Sequence, residues 1–290
     1  MFKESFKYYK SKKPPPVLDD VIDFHQIEDV DSSLYRKKEK LESVDCIHGL
    51  IPANEWEIYE IEANPGLIYI KNPFTTAGQN YWSVRCLRDF TKKPNKLNID
   101  AHNLLPTGVD WWDYCEKDDS VLKKLRWATL GYHHDWDTKV YNEESKNEFP
   151  GDLNELCCSI CNQLNFKKFN AEAAIINFYH LDSTLSGHTD HSEQNLEAPL
   201  LSFSFGSSAI FLLGGQTLDV KPTALMIRSG DVIIMSRDSR LSYHGVPRIL
   251  EPSVVTWEDS YDRYSNYLKN NRINMNVRQV LNRSEKRLIN

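Results

Sequence analysis

Residues 199–215 read PLLSFSFGSSAIFLLGG, and they decide the fold class. Two short runs rich in β-branched and aromatic residues, Leu200 to Phe205 and Ala209 to Leu213, end at the turn signal Gly214-Gly215. The same texture extends both ways. Ala174 to Tyr179 lies upstream; Ala224 to Arg228, Val232 to Ser236, Val254 to Trp257 and Ile273 to Val280 follow, with Ser229-Gly230-Asp231 and Pro247 as punctuation. Short strands with one clear helix among them predict an antiparallel double-sheet jelly roll, not alternating β-α units. The expected protein is mostly β with flanking helices, an α+β chain around a double-stranded β-helix core. Such a core opens between its two sheets, where inward side chains can hold a metal and a small molecule.

Upstream the texture changes. Residues 1–45 read as an N-terminal extension, with a Pro14-Pro15-Pro16 break before alternating charges. Residues 46–124 read as a helical, lid-forming and substrate-facing region, in which a helix from Gln79 to Phe90 sets Tyr81, Trp82, Leu87 and Phe90 among basic residues. Residues 125–290 hold the jelly-roll core and a basic C-terminal segment. Within them Leu153, Leu156, Cys157, Ile160, Cys161 and Leu164 recur at helical spacing, and Asp152 with Glu155 has the spacing of a capping box. The six cysteines, Cys46, Cys86, Cys115, Cys157, Cys158 and Cys161, are too scattered for a disulfide framework and read as reduced thiols. Cys158 and Cys161 form a C-x-x-C without a second pair, so they are expected in the core and not on zinc.

A net charge of −6 argues against electrostatic nucleic-acid binding by the chain as a whole. Its distribution is uneven, however: residues 263–290 carry seven basic side chains against one acidic, either a solvated face or a track for a polyanion. The apolar runs fall far short of the roughly 20 residues of a membrane span, so no membrane association is expected. The opening MFKESFKYYKSKKPPP has no apolar stretch or cleavage site of a secretory signal; a mitochondrial presequence is the weaker reading of its basic, aromatic character.

His188 and Asp190 stand two residues apart, so on an extended segment both side chains face one way and can grip one ion. His244, in another strand-like stretch, offers a third ligand. Two imidazoles and a carboxylate leave open coordination positions, the facial arrangement suited to non-heme Fe(II) and oxygen activation. An H-x-D alone is weak, since His133 and Asp135 repeat it. The company of the later pair is what raises it. Asn177 and Tyr179 share one face of the strand leading to it, and Arg272, Asn274, Asn276 and Arg278 share a face opposite Ile273, Met275 and Val277. A buried face with two arginines requires anions, and a dicarboxylate supplies them.

The runs NFYHLDSTLSGHTDHSE, PLLSFSFGSSAIFLLGG, SGDVIIMS, SRLSYHGVPRI and RINMNVRQV together resemble the catalytic core of the AlkB dioxygenase family, most closely the eukaryotic AlkB homologue 1 group. The likeness is strong from Leu125 to Leu281 and looser over residues 2–24 and 46–98. It implies that His188, Asp190 and His244 ligate Fe(II), that Arg272 anchors the distal carboxylate of the cosubstrate 2-oxoglutarate, that Asn177, Tyr179 and Asn274 help seat it, and that Arg278 bridges to Asp190. It further implies a nucleobase lid at Tyr132, His133, His134 and Asp135, with Trp112 contributing from upstream. The short link between His244 and Arg272 departs from the longer insertion common in that group.

The activity so implied is oxidative demethylation of N-methylated nucleobases, consuming O2 and 2-oxoglutarate and releasing formaldehyde and succinate. The substrate class is DNA or RNA, either methyladenine in transfer RNA or N6-methyladenine in DNA. Residence in the nucleus or mitochondrion, with the cytoplasm as an alternative, and a monomeric state are expected. A protein methyl-lysine oxygenase keeps the same chemistry on another substrate, and a jelly-roll binding module without catalysis is the rival from a different class. The intact ligand set argues against the module.

Overall fold

The structure, a computed structural model, describes residues 1–42, 49–250 and 262–288. Cys46 and the strand expected from Val254 to Trp257 lie outside the described residues. The strands, in chain order, are β1 (Tyr35–Lys37), β2 (Glu57–Ile61), β3 (Leu67–Lys71), β4 (Lys96–Leu97), β5 (Trp127–His134), β6 (Tyr141–Lys146), β7 (Ala173–His180), β8 (Leu185–His188), β9 (Leu200–Gly206), β10 (Ala209–Leu213), β11 (Thr223–Ile227), β12 (Val232–Met235), β13 (His244–Ile249) and β14 (Asn271–Arg278). Among the described residues they form a ten-stranded sheet, ordered β1-β2-β3-β12-β9-β14-β7-β5-β4 with β6 on β5, and a four-stranded sheet, ordered β11-β10-β13-β8. The pairings between named strands are antiparallel, as a double-sheet jelly roll requires.

β1, β2 and β3 precede residue 125 yet extend the same large sheet through the β3–β12 pairing. Burial explains it: LIYIK in β3 is apolar on both faces, so it lies between the core and the helices and needs neighbours on both sides.

The helices are α1 (Phe2–Lys10), α2 (Thr76–Val84), α3 (Trp111–Cys115), α4 (Gly151–Gln163) and α5 (Asp262–Lys269). The outer face of the large sheet, with Phe178, Phe203, Ile273, Met275 and Val277, packs against Trp82, Trp111, Leu156 and Ile160 from α2 to α4 in one apolar cluster. A second cluster, including Tyr69, Leu200, Leu213, Leu225 and Met235, fills the space between the sheets. Cys157 and Cys161 are fully buried in the first cluster, and burial pushes both thiols up. The expected capping box is corrected: α4 starts after Pro150 without a side-chain cap, and the Asp152 carboxylate turns outward to Arg85 at 2.9 Å and to the Tyr81 hydroxyl at 2.7 Å. That carboxylate serves the guanidinium and, locally, only the Leu153 amide at 2.9 Å, with no bond to Glu155 or to a capping amide.

The N-terminal residues are woven into the body. Ile22 bridges to Leu225 in β11, and the buried Asp231 carboxylate receives the Tyr69 hydroxyl at 2.5 Å and faces His25 Nε2 at 2.9 Å. Phe2, on α1, is buried where two glycines make room: a Cβ on Gly187 would lie 2.5 Å from the Phe2 ring, and one on Gly214 would lie 2.9 Å from it. Gly187 belongs to β8, directly before His188.

Candidate active site

The alternation of RINMNVR sends Ile273, Met275 and Val277 into the helix-facing cluster and the intervening polar residues the other way. Register then assembles the polar face. Arg272 lies opposite Tyr179 and Asn274 opposite Asn177 on β7, while on the other flank Arg272 faces Gly206 and Asn274 faces Ser204 of β9. In the small sheet β13 pairs with β8 so that His244 lies opposite His188. These inner faces enclose a cavity of about 690 Å³ whose lining includes the three expected metal ligands and all five expected cosubstrate residues.

Among the described residues, His188, Asp190 and His244 are the one group of three whose ligand atoms converge, within 4.8 Å of one another. His188 Nδ1 lies 2.9 Å from the Ser186 carbonyl and His244 Nδ1 lies 3.1 Å from that of Ser242. A carbonyl can only accept, so each ring carries its proton on Nδ1 and leaves its Nε2 lone pair free. Those two Nε2 atoms stand 3.9 Å and 3.6 Å from the Asp190 carboxylate. Burial, reinforced by the neighbouring His188, draws His244 down to about 4, so it is a neutral donor at physiological pH. For Asp190 burial works the other way, but the Arg278 guanidinium at 2.8 Å outweighs it and holds the carboxyl far below the usual range. Two imidazole nitrogens and a charged carboxylate, with a cavity on their open side, fit Fe(II) with positions to spare.

The opposite end of the cavity presents a different arrangement. Arg272 is 3% exposed; Nη2 donates to Ser204 Oγ at 2.9 Å, while Nε and Nη1 have no hydrogen-bond partner. The Tyr179 hydroxyl also lacks one. Burial lowers Arg272 to about 10 and pushes Tyr179 up to about 12, so at neutral pH the first stays cationic and the second keeps its proton to donate. A buried cation with unused donors beside a protonated phenol fits the distal carboxylate of a dicarboxylate such as 2-oxoglutarate. Asn274 is tied into the sheet floor: its amide donates to Ser202 Oγ at 2.8 Å and to the Phe203 carbonyl at 3.0 Å, and accepts from Asn276 at 2.8 Å. Asn177 lines the cavity beside it.

Of the residues expected to cover a base, His134 reaches this cavity. Its ring sits edge-on to Trp136 at 4.7 Å and to Tyr141 at 5.4 Å, with Nε2 at 3.1 Å from Ser192 Oγ. His133 faces away, buried with Nδ1 at 2.7 Å from Thr129 Oγ1. A register shift in the β5–β6 pairing separates Tyr132 from His134, and Tyr132 packs in another cluster, with its hydroxyl on Glu143 at 2.6 Å. Asp135 accepts from the Asp137 and Thr138 amides at 2.8 and 3.0 Å, which makes it the cap of the β5–β6 turn. Trp112 lies on the helical side, stacked on Tyr264 at 5.0 Å in a separate cavity. Sequence reasoning passed over three residues that matter here: Trp136, 47% exposed at the mouth, and the buried pair Glu193 and Arg240. A tryptophan in a polar turn was a usable signal for the first.

Residues 66–278 match the 2OG-Fe(II) oxygenase superfamily. The chain belongs to this superfamily. The family's chemistry uses Fe(II), 2-oxoglutarate and O2, and the donor sets at the two ends of the cavity suit the first two. Over 97% of its length the oxygenase is 37% identical to the nucleic acid dioxygenase ALKBH1 of Homo sapiens, covering 84% of that protein. Over 77% of its length it is 35% identical to the tRNA demethylase abh1 of Schizosaccharomyces pombe, covering 82% of it. The solved structure of OsALKBH1 shares the fold, with a TM-score of 0.53 at 21% identity, over 74% of this chain and 97% of that one. No described helix of the oxygenase is long and apolar enough to cross a membrane.

Proposed function

We propose that this oxygenase demethylates N-methylated nucleobases, with methyladenine in transfer RNA or N6-methyladenine in DNA as substrate. The observation that carries the reading is one cavity holding both the converging His188, Asp190 and His244 and the unsatisfied Arg272. The nucleic-acid half is supported by the relatives, named a nucleic acid dioxygenase and a tRNA demethylase, and by the aromatic mouth at His134 and Trp136. Rings at a cavity mouth suit a base taken out of its stack.

In this reading His188, Asp190 and His244 hold the metal, and Arg272 with Tyr179 orients the far carboxylate of 2-oxoglutarate over a floor set by Asn177 and Asn274. When bound, Fe(II) and 2-oxoglutarate supply the activation of O2 that oxidises an N-methyl carbon, giving succinate, CO2, formaldehyde and the bare base. Arg278 keeps Asp190 ionised and pointed at the ligand position. Apolar side chains such as Leu200, Ile233 and Met235 exclude water from the cavity wall. His134 and Trp136 present ring faces and edges to the incoming base.

Nucleoside mass spectrometry before and after incubation with methylated transfer RNA and methylated DNA tests this. Loss of methyladenine matched mole for mole by succinate is the expected result. Succinate release driven by a methyl-lysine peptide, with every nucleoside unchanged, would replace the substrate class. Nuclear or mitochondrial residence belongs to the same proposal, because both polymers occur there; fractionation of tagged protein tests it.

A further inference from the structure

Between β12 and β13 the chain makes a tight turn, Arg237–Leu241, that buries Arg240 to 2% exposure. All three of its guanidinium nitrogens are used. Nε donates to the Ala198 carbonyl at 3.0 Å, Nη1 to the backbone carbonyl of Asp190 at 2.6 Å, and Nη2 to Glu193 Oε2 at 2.9 Å. The other Glu193 oxygen pairs with Arg278 Nε at 3.1 Å and accepts from the Tyr141 hydroxyl at 3.3 Å. Arg278 in turn holds the Asp190 carboxylate at 2.8 Å. The contacts thus form a closed ring that starts at the Asp190 side chain, runs through Arg278, Glu193 and Arg240, and returns to the Asp190 main chain.

Two arginines and two carboxylates make this ring neutral, which is the condition for burying four charges together. Its geometry is unusual for a purely structural network. It grips one residue at both the carbonyl and the carboxylate, and that residue is the acidic member of the converging set. Asp190 lies beyond the end of β8, outside any strand, so no ladder hydrogen bonds fix it. The ring takes over that task.

We propose that Arg240 and Glu193 are positioning residues of the metal centre: Arg240 fixes the Asp190 backbone, and Glu193 restrains Arg278 so that it orients the Asp190 carboxylate without drawing it away from the metal. The inference rests on the reading of His188, Asp190 and His244 as metal ligands. Neither residue touches the metal or 2-oxoglutarate in this scheme. Both oxygens of Glu193 are engaged by arginines.

The test is anaerobic binding of Co(II) to the full chain, followed by the visible spectrum of the bound ion and by calorimetry, with no cosubstrate and no turnover. Glu193→Gln and Arg240→Lys should each weaken Co(II) by about 10- to 100-fold, the range for partners that orient metal ligands, and should alter the spectrum. Because both lie in one ring, the double variant should lose less than the product of the single losses. Arg240→Lys, which keeps one donor for the Asp190 carbonyl, should retain more affinity than Arg240→Met. His188→Ala is the control for the underlying reading: if it still binds one Co(II) with parent affinity, the assignment of the ligands fails. If His188→Ala loses the ion while Glu193→Gln and Arg240→Met keep parent affinity and spectrum, the positioning proposal is overturned and the ligand assignment stands. Thermal melts identify any variant that does not fold, and in that case Glu193→Asp, which keeps the charge, takes its place under the same criteria.

Discussion

At one end of the cavity His188 and His244 each donate a hydrogen bond to a backbone carbonyl and Asp190 is held by Arg278; at the other, Arg272 is buried with Nε and Nη1 lacking partners. At the first end both imidazoles and the carboxylate are held by partners, so that their ligand atoms converge. The second keeps an unsatisfied cation in a low-dielectric wall. A metal centre needs its ligands aimed before the ion arrives, so its surroundings are spent on orientation. A carboxylate anchor needs an unmatched charge, and the ligand-free fold bears its desolvation cost.

The largest effect that can break this contrast comes at the metal end. Asp190→Ala should reduce succinate release to background and abolish stoichiometric metal binding, while 2-oxoglutarate loses only the part of its affinity that the metal provides. Full turnover in that variant would remove Asp190 from the site. Next comes Arg272→Met, which should lower 2-oxoglutarate affinity at least about 30-fold, the lower end of the roughly 2 to 5 kcal/mol typical of losing a buried charged partner. The same variant should make the cosubstrate-free protein more stable by about 1 to 4 kcal/mol, because an apolar side chain replaces an unpaired buried charge. A lower melting temperature would show that the Arg272 charge is satisfied within the fold.

A smaller change is expected at the mouth. Trp136→Ala should cost about 1 to 3 kcal/mol in turnover of a methylated polynucleotide, the usual value of one base–ring stack, with metal and 2-oxoglutarate binding unchanged. Equal losses on a free methylated nucleoside and on the polymer would place Trp136 on the base itself; a loss confined to the polymer would place it on a neighbouring nucleotide. The smallest effect is a pH slope. His244 sits at about 4 in the fold against 6.5 ordinarily, so between these values the unfolded chain binds the extra proton and the metal-free protein loses stability as pH falls. Urea denaturation at pH 7 and pH 5 measures that loss, and His244→Asn should flatten it.

The polar face of β14 was legible because strand periodicity is local: alternation along Arg272 to Arg278 states which side chains share a side, and burial of Ile273, Met275 and Val277 settles which side is which. The His188 and Asp190 pair was legible for the same reason, and His244 needed only a partner strand. Tyr132, His133, Asp135 and Trp112 were harder, since a buried aromatic and a substrate-facing one have the same composition. Only the register shift in the β5–β6 pairing and the packing of α3 separate them. Arg240 and Glu193 left no local trace, because their bond joins residues 47 apart in sequence. β3 escaped for a related reason: an apolar run of four residues fits a buried strand or a helix segment equally until its neighbours are known.

Phe2 occupies the space that the missing side chains of Gly187 and Gly214 leave, immediately behind the strand that presents His188. α1 is thus a wedge under the strand that carries His188. Replacing Phe2 by a small side chain would leave an apolar hollow beneath β8 and let that short strand shift. The seating of His188 therefore leans on a side chain 186 positions away in sequence that does not line the cavity.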